Sequence, residues 1–190
     1  MAAWKQAARA EAAAAVQTTK AVVAYGQVLL NLVKAFERIP HAMLAREAAK
    51  LGYPLWTLRL SLAAYRLPRS LRIGEVYSFL VIACRGATAG SGTGTTEMKI
   101  IMIDIIDGAL KVYPTVEPTL FVDDVSAEQS AGENAKVENL AGFTMHVSRA
   151  IVDAKMELSD VKCGCNASTD ALGKKLEETL ALLNITYKKK

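Results

Sequence analysis

Two adjacent carboxylates, Asp123 and Asp124, are the residues of this sequence best suited to chemistry. Apolar segments flank them, which predicts two strands, 119–122 and 125–128, joined by a tight turn at the Asp pair. Like charges this close repel each other unless they are solvated, hydrogen-bonded or neutralised by a cation. Mg²⁺ prefers oxygen ligands and is often held by carboxylates together with substrate phosphates. Taken alone, however, the pair is more typical of an ordinary exposed turn, because Asp is common there.

The elements that must position this pair alternate between helix and strand. Periodicity and breaker residues predict helices at 2–22, 41–50, 54–68, 98–110, 134–153 and from Ser168 or Thr169 to 183. Strands are predicted near 28–33, on both sides of a turn at 74–75, beside the Asp pair, and as short extended segments at 156–158, 162–165 and 185–187. A loop with four glycines occupies 86–94, and Thr95 or Thr96 is expected to cap the helix after it. The mixed order predicts an α+β fold, an antiparallel sheet backed by helices.

Composition sets limits on the class of protein. The 190-residue chain is 52% hydrophobic and 22% charged, so it can bury a core and is not a disordered tail. A net charge of +4 permits a polyanionic partner without requiring one. Four arginines with no acidic residue between them form a local cationic run, Arg59, Arg66, Arg69 and Arg72. This run fits an exposed helical face as well as it fits contacts with phosphates.

Cysteines and histidines are too few for several kinds of site. Three cysteines argue against a disulfide framework and favour a reducing compartment, and a zinc site would need scattered residues. Cys163 and Cys165 are expected to be structural residues on a strand, and His41 and His146 to be surface or capping residues.

No apolar stretch reaches the ~20 residues that cross a bilayer. We therefore expect a soluble, intracellular protein with no membrane partner, in the nucleus or the cytoplasm.

Four blocks, in order, resemble the palm region of a reverse transcriptase. The first block, 31–41, has an aromatic residue, Phe36, five positions after Asn31. The others are 85–91, which resembles an Arg-Gly-x-x-Gln-Gly-Ser loop, 121–124, which resembles the catalytic hairpin, and 156–162, which resembles the block that ends in a lysine. Together they span about residues 25–165. The non-LTR retroelement and group II intron enzymes are the most similar subgroup.

The resemblance implies a fold and an activity. The implied fold is an antiparallel palm sheet with a ferredoxin-like, RRM-like core backed by helices, with partial fingers and no thumb. It divides the chain into an N-terminal helical segment at 1–24, a palm with finger insertions at 25–165, and a C-terminal helix and truncated end at 166–190. The implied activity is that of an RNA-directed DNA polymerase, a retrotransposon nucleotidyltransferase that uses two-metal phosphoryl transfer with Mg²⁺ or Mn²⁺. Its partners would be an RNA template, a DNA primer and deoxynucleoside triphosphates.

The resemblance also implies roles for single residues. The catalytic residues would be Asp123, Asp124, Lys162 and Asn31, which stands at the position of a family Asp. The metal ligands would be Asp123, Asp124 and the backbone carbonyl of Leu32. The nucleotide would be bound by Leu32, Phe36, Ala89 and Gly90, with Phe36 excluding a 2′-hydroxyl. Nucleic acid would contact Arg59, Arg66, Arg69, Arg72 and Arg85.

The chain departs from the family at two of these positions. Asn31 replaces the first catalytic Asp, and an amide oxygen carries no charge to balance two cations. Each ~1.4 kcal/mol lost from the transition state is a tenfold loss of rate, so we expect strongly impaired synthesis. Ala89 replaces the expected Gln. The chain would then be a fragment or a decayed retroelement copy.

Two other hypotheses stay open at this point. One is a palm remnant that binds nucleic acid without catalysis. The other is an unrelated α+β interaction domain whose Asp pair is accidental. The polymerase hypothesis requires Asn31 and Asp123 to lie on adjacent strands with their side chains directed at one spot.

Overall fold

The computed structural model describes residues 24–88, 90–130 and 133–188. The helix predicted at 2–22 and the site residue Ala89 lie outside this part of the chain. In chain order the elements are β1 (Tyr25–Leu30), α1 (Ala35–Arg38), α2 (His41–Lys50), α3 (Leu55–Tyr65), β2 (Arg72–Ile73), β3 (Val76–Tyr77), α4 (Gly94–Val112), β4 (Glu117–Phe121), β5 (Asp124–Ser130), α5 (Glu133–Asp153), β6 (Gly164–Ala167), α6 (Asp170–Thr179), a 3₁₀ turn (Ala181–Leu183) and β7 (Thr186–Tyr187).

A five-stranded sheet in the order β4-β5-β1-β6-β7 is the centre of the molecule. Its pairs are antiparallel except for β6 and β7, which run parallel. The β2–β3 hairpin forms a separate two-stranded sheet. This arrangement confirms the predicted α+β class, with an antiparallel, palm-like sheet backed by helices.

Strand β1 shows which face of the sheet is covered. Gly26, Val28 and Leu30 are buried, whereas Tyr25, Gln27 and Leu29 on the other face are partly or fully exposed. A Cβ added to Gly26 would lie 3.2 Å from Leu140 of α5 and 3.3 Å from Leu176 of α6. The absence of a side chain at Gly26 therefore lets both helices pack close to the central strand.

Helix α4 supplies much of the aliphatic core. Met98, Ile101, Met102, Ile105 and Ala109 recur at helical spacing and are buried. Helix α4 packs between α2 and α5. In the part of the chain that is described, no helix combines the length and the apolar character that crossing a bilayer requires.

The first strand differs from its prediction. It runs from Tyr25 to Leu30 instead of 28–33. Glycine is a weak strand former, so Gly26 concealed the start of the strand, where close helix packing outweighs propensity. Beyond Leu30 the chain keeps a single antiparallel bridge, between Leu32 and Leu158. Asn31 therefore lies just past the strand end.

Helix ends and one histidine also differ from their predictions. Helix α4 begins after Thr93, and neither Thr95 nor Thr96 precedes it. Thr169 does cap α6, because its side chain accepts a hydrogen bond from the Leu172 amide at 3.3 Å. That helix ends at Thr179, and the predicted remainder is the short 3₁₀ turn. His41 is buried, not on the surface, and its Nε2 lies 2.8 Å from the Gly86 carbonyl oxygen.

Candidate functional site

The hairpin that carries the Asp pair turns one residue earlier than the sequence predicts. Phe121 pairs with Asp124, so the turn consists of Val122 and Asp123, and Asp124 is the first residue of β5. Tight hairpin turns need positive φ angles, and here Val122 provides one at 59°. This conformation is rare for a β-branched residue and costs on the order of 1–3 kcal/mol. One carboxylate is thus presented at the tip and the other on the strand.

Strand β1 brings Asn31 to this hairpin. Leu30 pairs with Val125 of β5, so the next residue along β1 comes beside Asp124. The Asn31 side-chain amide donates a hydrogen bond to Oδ1 of Asp124. Asn31 therefore contacts Asp124, whereas the hypothesis required it to converge with Asp123, and no hydrogen bond joins Asn31 to Asp123 among the described residues.

The Leu32 carbonyl is directed away from the segment at 157–159. The Ser159 amide donates to the Asn31 carbonyl and the Val33 amide to the Glu157 carbonyl, each at 2.8 Å. In such an antiparallel pairing the residue between them, Leu32, directs its own N–H and C=O away from the partner strand.

The electrostatics of the tip place a cationic side chain nearby. Burial raises the pKa of Asp123, and the neighbouring charge of Asp124 raises it further. A hydrogen bond from its own backbone amide and the charge of Lys162 both act to lower that pKa. Lys162 is therefore near enough for its charge to act on Asp123, although the two side chains form no ion pair among the described residues.

The donor atoms at this tip suit a hard cation. Mg²⁺ and Mn²⁺ prefer oxygen ligands, which the carboxylates of Asp123 and Asp124 offer here, whereas the Asn31 amide directs its N–H group at Asp124. Within residues 24–88, 90–130 and 133–188, no group of three or more His, Cys, Asp and Glu side chains is arranged to hold a metal ion. The two carboxylates by themselves would supply only part of the ligands that a divalent cation takes.

The other predicted nucleotide residues lie on α1 and on the loop at 86–94. The half-buried Phe36 ring lies 3.6 Å from the position of a Cβ added to Gly94. The Ala87 amide donates to the Phe36 carbonyl at 2.7 Å, so the first two sequence blocks are in direct contact. Gly90 has a φ of 80° and open space around its Cα.

All five arginines that the resemblance assigns to nucleic-acid binding are exposed. Arg59 is on α3, Arg66 follows its end, and Arg85 bridges to Pro40. Arg69 donates to Thr88 Oγ1 at 3.3 Å, whereas Arg72 pairs with Glu75 at 3.1 Å and lies over the Tyr77 ring. The structure describes all five arginines and both aspartates, and no ion pair joins any of these arginines to Asp123 or Asp124.

Sequence reasoning missed a buried polar group beneath the glycine loop. Tyr65 donates a hydrogen bond to Glu97, and Ser91 and Thr93 join the same cluster. One signal was available, because Glu97 is a charged residue immediately before the apolar stripe of α4. Its partner on α3 is 32 positions away in sequence, which no local pattern reveals.

Comparisons with known proteins bear on the fold. No protein-family model and no curated protein matches the chain. Among solved structures, an apo telomerase from Candida tropicalis, truncated from the C-terminal domain, superposes with a TM-score of 0.61 at 9% sequence identity. The match covers 80% of this chain and 32% of the telomerase chain, so this chain spans about a third of that protein's length. At this identity the likeness concerns the fold alone, and that fold is shared with the matched part of the telomerase chain.

Proposed function

We propose that this chain is the palm of a template-directed polymerase of the reverse-transcriptase type. The observation that carries the proposal is the contact between Asn31, just past the end of β1, and Asp124, the first residue of β5, next to Asp123 and near Lys162. An unrelated domain with an accidental Asp pair would have no reason to gather these residues. The telomerase-like fold supports the same hypothesis from a different direction.

The proposed reaction joins a deoxynucleoside triphosphate to the 3′-hydroxyl of a DNA primer along an RNA template. Asp123, Asp124 and the Leu32 carbonyl would hold Mg²⁺ or Mn²⁺. When bound, these ions would activate the primer hydroxyl and stabilise the charge that develops on the leaving pyrophosphate. We assign the chain further to the non-LTR retroelement and group II intron type, which rests on the sequence blocks.

Other residues would bind and orient the substrate. Lys162 would contact the triphosphate, since its charge already acts on Asp123. Phe36 would lie beneath the sugar and exclude a 2′-hydroxyl, and the open space at Gly90 would admit the base pair. The exposed arginines would bind backbone phosphates, a role that is sensitive to salt and blind to sequence.

Asn31 weakens this proposed site. It contributes an uncharged amide, so two carboxylates and no third would balance two divalent cations. The Asn31 amide also occupies Oδ1 of Asp124, which a cation would otherwise use. We therefore expect weak synthesis from the chain as it stands.

Primer extension with Mg²⁺ or Mn²⁺ tests the proposal. We would compare the unmodified chain, Asn31→Asp, and Asn31→Asp combined with Asp123→Ala. The expected result is weak or no synthesis by the first, synthesis by the second, and none by the third. An inactive Asn31→Asp variant would contradict the polymerase proposal for this chain, and full activity of the unmodified chain would contradict the role given to Asn31.

A second candidate is a palm that binds nucleic acid without catalysis. The hydrogen bond from Asn31 to Asp124 favours it, because that bond satisfies the carboxylate without a cation. Primer–template binding that does not depend on Mg²⁺, together with an inactive Asn31→Asp variant, would support this second candidate over the first.

A further inference from the structure

Glu97 is a buried acid that packing alone does not explain. It lies in the first turn of α4 and has 0% of its surface exposed. Tyr65 donates a hydrogen bond to its Oε2 at 2.7 Å, while its Oε1 is buried with no hydrogen-bond partner in the described part of the chain. Leaving a buried polar atom unpaired is costly, so this position points to a role beyond filling the core.

The contact between Tyr65 and Glu97 extends into the glycine loop. Because the Tyr65 proton goes to Glu97, the Tyr65 oxygen can only accept from Ser91, whose Oγ lies 2.7 Å away. The Ser91 oxygen in turn accepts from the Thr93 amide at 3.3 Å. Thr93 Oγ1 also lies 3.0 Å from Ser61 Oγ on α3. The C-terminal end of the loop is therefore tied to α3 and α4 by side chains.

The N-terminal end of the same loop is tied independently. The Gly86 amide donates to the Ile39 carbonyl at 2.8 Å, and the His41 ring contacts the Gly86 carbonyl. A Cβ on Gly86 would lie 2.7 Å from the Glu37 carbonyl oxygen, so the backbones approach closely here. Between these two anchors Gly90 has open space around it. The anchors therefore hold the two described parts of the loop, 86–88 and 90–94, to the helices around them.

We propose that Tyr65 and Glu97 are positioning residues that hold residues 90–94 of the glycine loop in the shape that receives the incoming deoxynucleoside triphosphate. This inference rests on the proposed polymerase function, since it assigns the loop to nucleotide binding. Neither residue touches the substrate; each acts through Ser91 and Thr93. The alternative is that the pair only joins α3 to α4.

Hydrogen exchange of the full chain tests the hold on the loop without requiring activity. The variants are Tyr65→Phe and Glu97→Gln, and the control is Tyr113→Phe, a partly buried tyrosine after α4 whose hydroxyl makes no hydrogen bond to any described residue. We expect the amides of 90–94 to exchange ~10-fold faster in Tyr65→Phe, faster also in Glu97→Gln, and unchanged in the control. Unchanged loop exchange in Tyr65→Phe overturns the inference. The inference is also overturned if the amides of β1 and β5 exchange faster by the same factor as those of the loop, because that result indicates a purely structural role.

Steady-state kinetics in the Asn31→Asp background test the link to the nucleotide. We expect Tyr65→Phe to raise the KM for deoxynucleoside triphosphate by ~10-fold with little change in kcat, and Tyr113→Phe to change neither. An equal KM in Tyr65→Phe overturns the nucleotide assignment even if the loop loosens. Absence of synthesis in the parent Asn31→Asp overturns the proposed function and the nucleotide assignment with it, while the exchange measurement still decides whether the pair holds the loop.

Discussion

Asn31 stabilises the acidic tip in a way that an aspartate could not. Its amide donates to Asp124, whereas a carboxylate there would meet Asp124 and Asp123 as like charges. We expect Asn31→Asp to lower the melting temperature in the presence of a chelator, by the equivalent of ~1–2 kcal/mol. Millimolar Mg²⁺ should restore it, because a ligand of the folded state stabilises that state.

Thermal melts with chelator and with Mg²⁺ measure this coupling, and Asn31→Ala is the matched control. The Ala variant loses the hydrogen bond without adding a charge, so its melting temperature should stay low in both solutions. If Mg²⁺ shifts Asn31→Asp no more than Asn31→Ala, the tip is not a cation site.

Asp123 should make stability depend on pH. Its pKa is raised in the folded state, chiefly by burial and then by Asp124. Between the ordinary Asp pKa and this raised pKa, the folded state binds more protons than the unfolded state, so stability falls as pH increases through that window. Above the window a constant penalty remains. Asp123→Asn should therefore melt higher than the unmodified chain at neutral pH, with a difference that disappears in acid.

Melting temperatures across the acidic and neutral range measure the effect. Asp107→Asn is the control, because it removes an exposed carboxylate from α4 at another site. A gain in melting temperature for Asp123→Asn that is the same at every pH would show that the titration of Asp123 is not its cause.

Gly26 controls how closely the helices approach the sheet. A Cβ there would lie 3.2 Å from Leu140 and 3.3 Å from Leu176, so a branched side chain would force both away from β1. We expect Gly26→Val to destabilise the fold by about 1–3 kcal/mol. Gly92→Ala is the control, since nothing lies within 4 Å of its added Cβ and it should be close to neutral. Denaturant unfolding gives the free energy of unfolding of both variants. If Gly26→Val and Gly92→Ala change it equally, the helices can move away from the sheet at no cost.

Local patterns predicted most elements but not their ends. Helix α5 begins one residue before its predicted start and ends where predicted, because its apolar stripe is long and periodic. The turn was placed at the Asp pair because Asp favours turns, but Val122 takes the positive φ that the hairpin needs. The sequence does not reveal the start of β1, because the glycine at position 26 is required by the close approach of two helices that are distant in sequence.

The site was predictable only as far as its parts lie close together in sequence. Asp123 and Asp124 are adjacent, so their mutual repulsion follows from the sequence alone. The donation from Asn31 to Asp124 spans 93 positions and depends on the β1–β5 register, which a single sequence leaves open. Tyr65 and Glu97 meet through helix packing across 32 positions, so the sequence marks Glu97 as unusual but does not reveal its partner.

At the scale of the whole molecule, exposed arginines and exposed apolar side chains occur in the same stretch of the sequence. The β2–β3 hairpin and its flanks expose large apolar side chains, including Ile73, Phe79 and Leu80. The arginine run occupies the same stretch of chain, between α3 and the end of β2. The carboxylates, by contrast, gather at the turn between β4 and β5. Any polyanion that binds should therefore meet the arginines first, because the acidic tip repels it in the absence of cations.

The arginines should not contribute equally to nucleic-acid binding. Arg66 forms no ion pair with any described residue, whereas Arg72 is already paired with Glu75 at 3.1 Å. Each phosphate contact that is lost lowers the slope of log affinity against log salt by ~0.9 on a duplex and ~0.7 on a single strand. We expect Arg66→Gln to reduce the slope by about that amount and Arg72→Gln to reduce it less, in fluorescence-anisotropy titrations over a range of salt concentrations. If the two variants and the unmodified chain have equal slopes, nucleic acid binds elsewhere. The paired Arg72 and the unpaired Arg66 can affect the slope differently only if phosphates approach this arginine run.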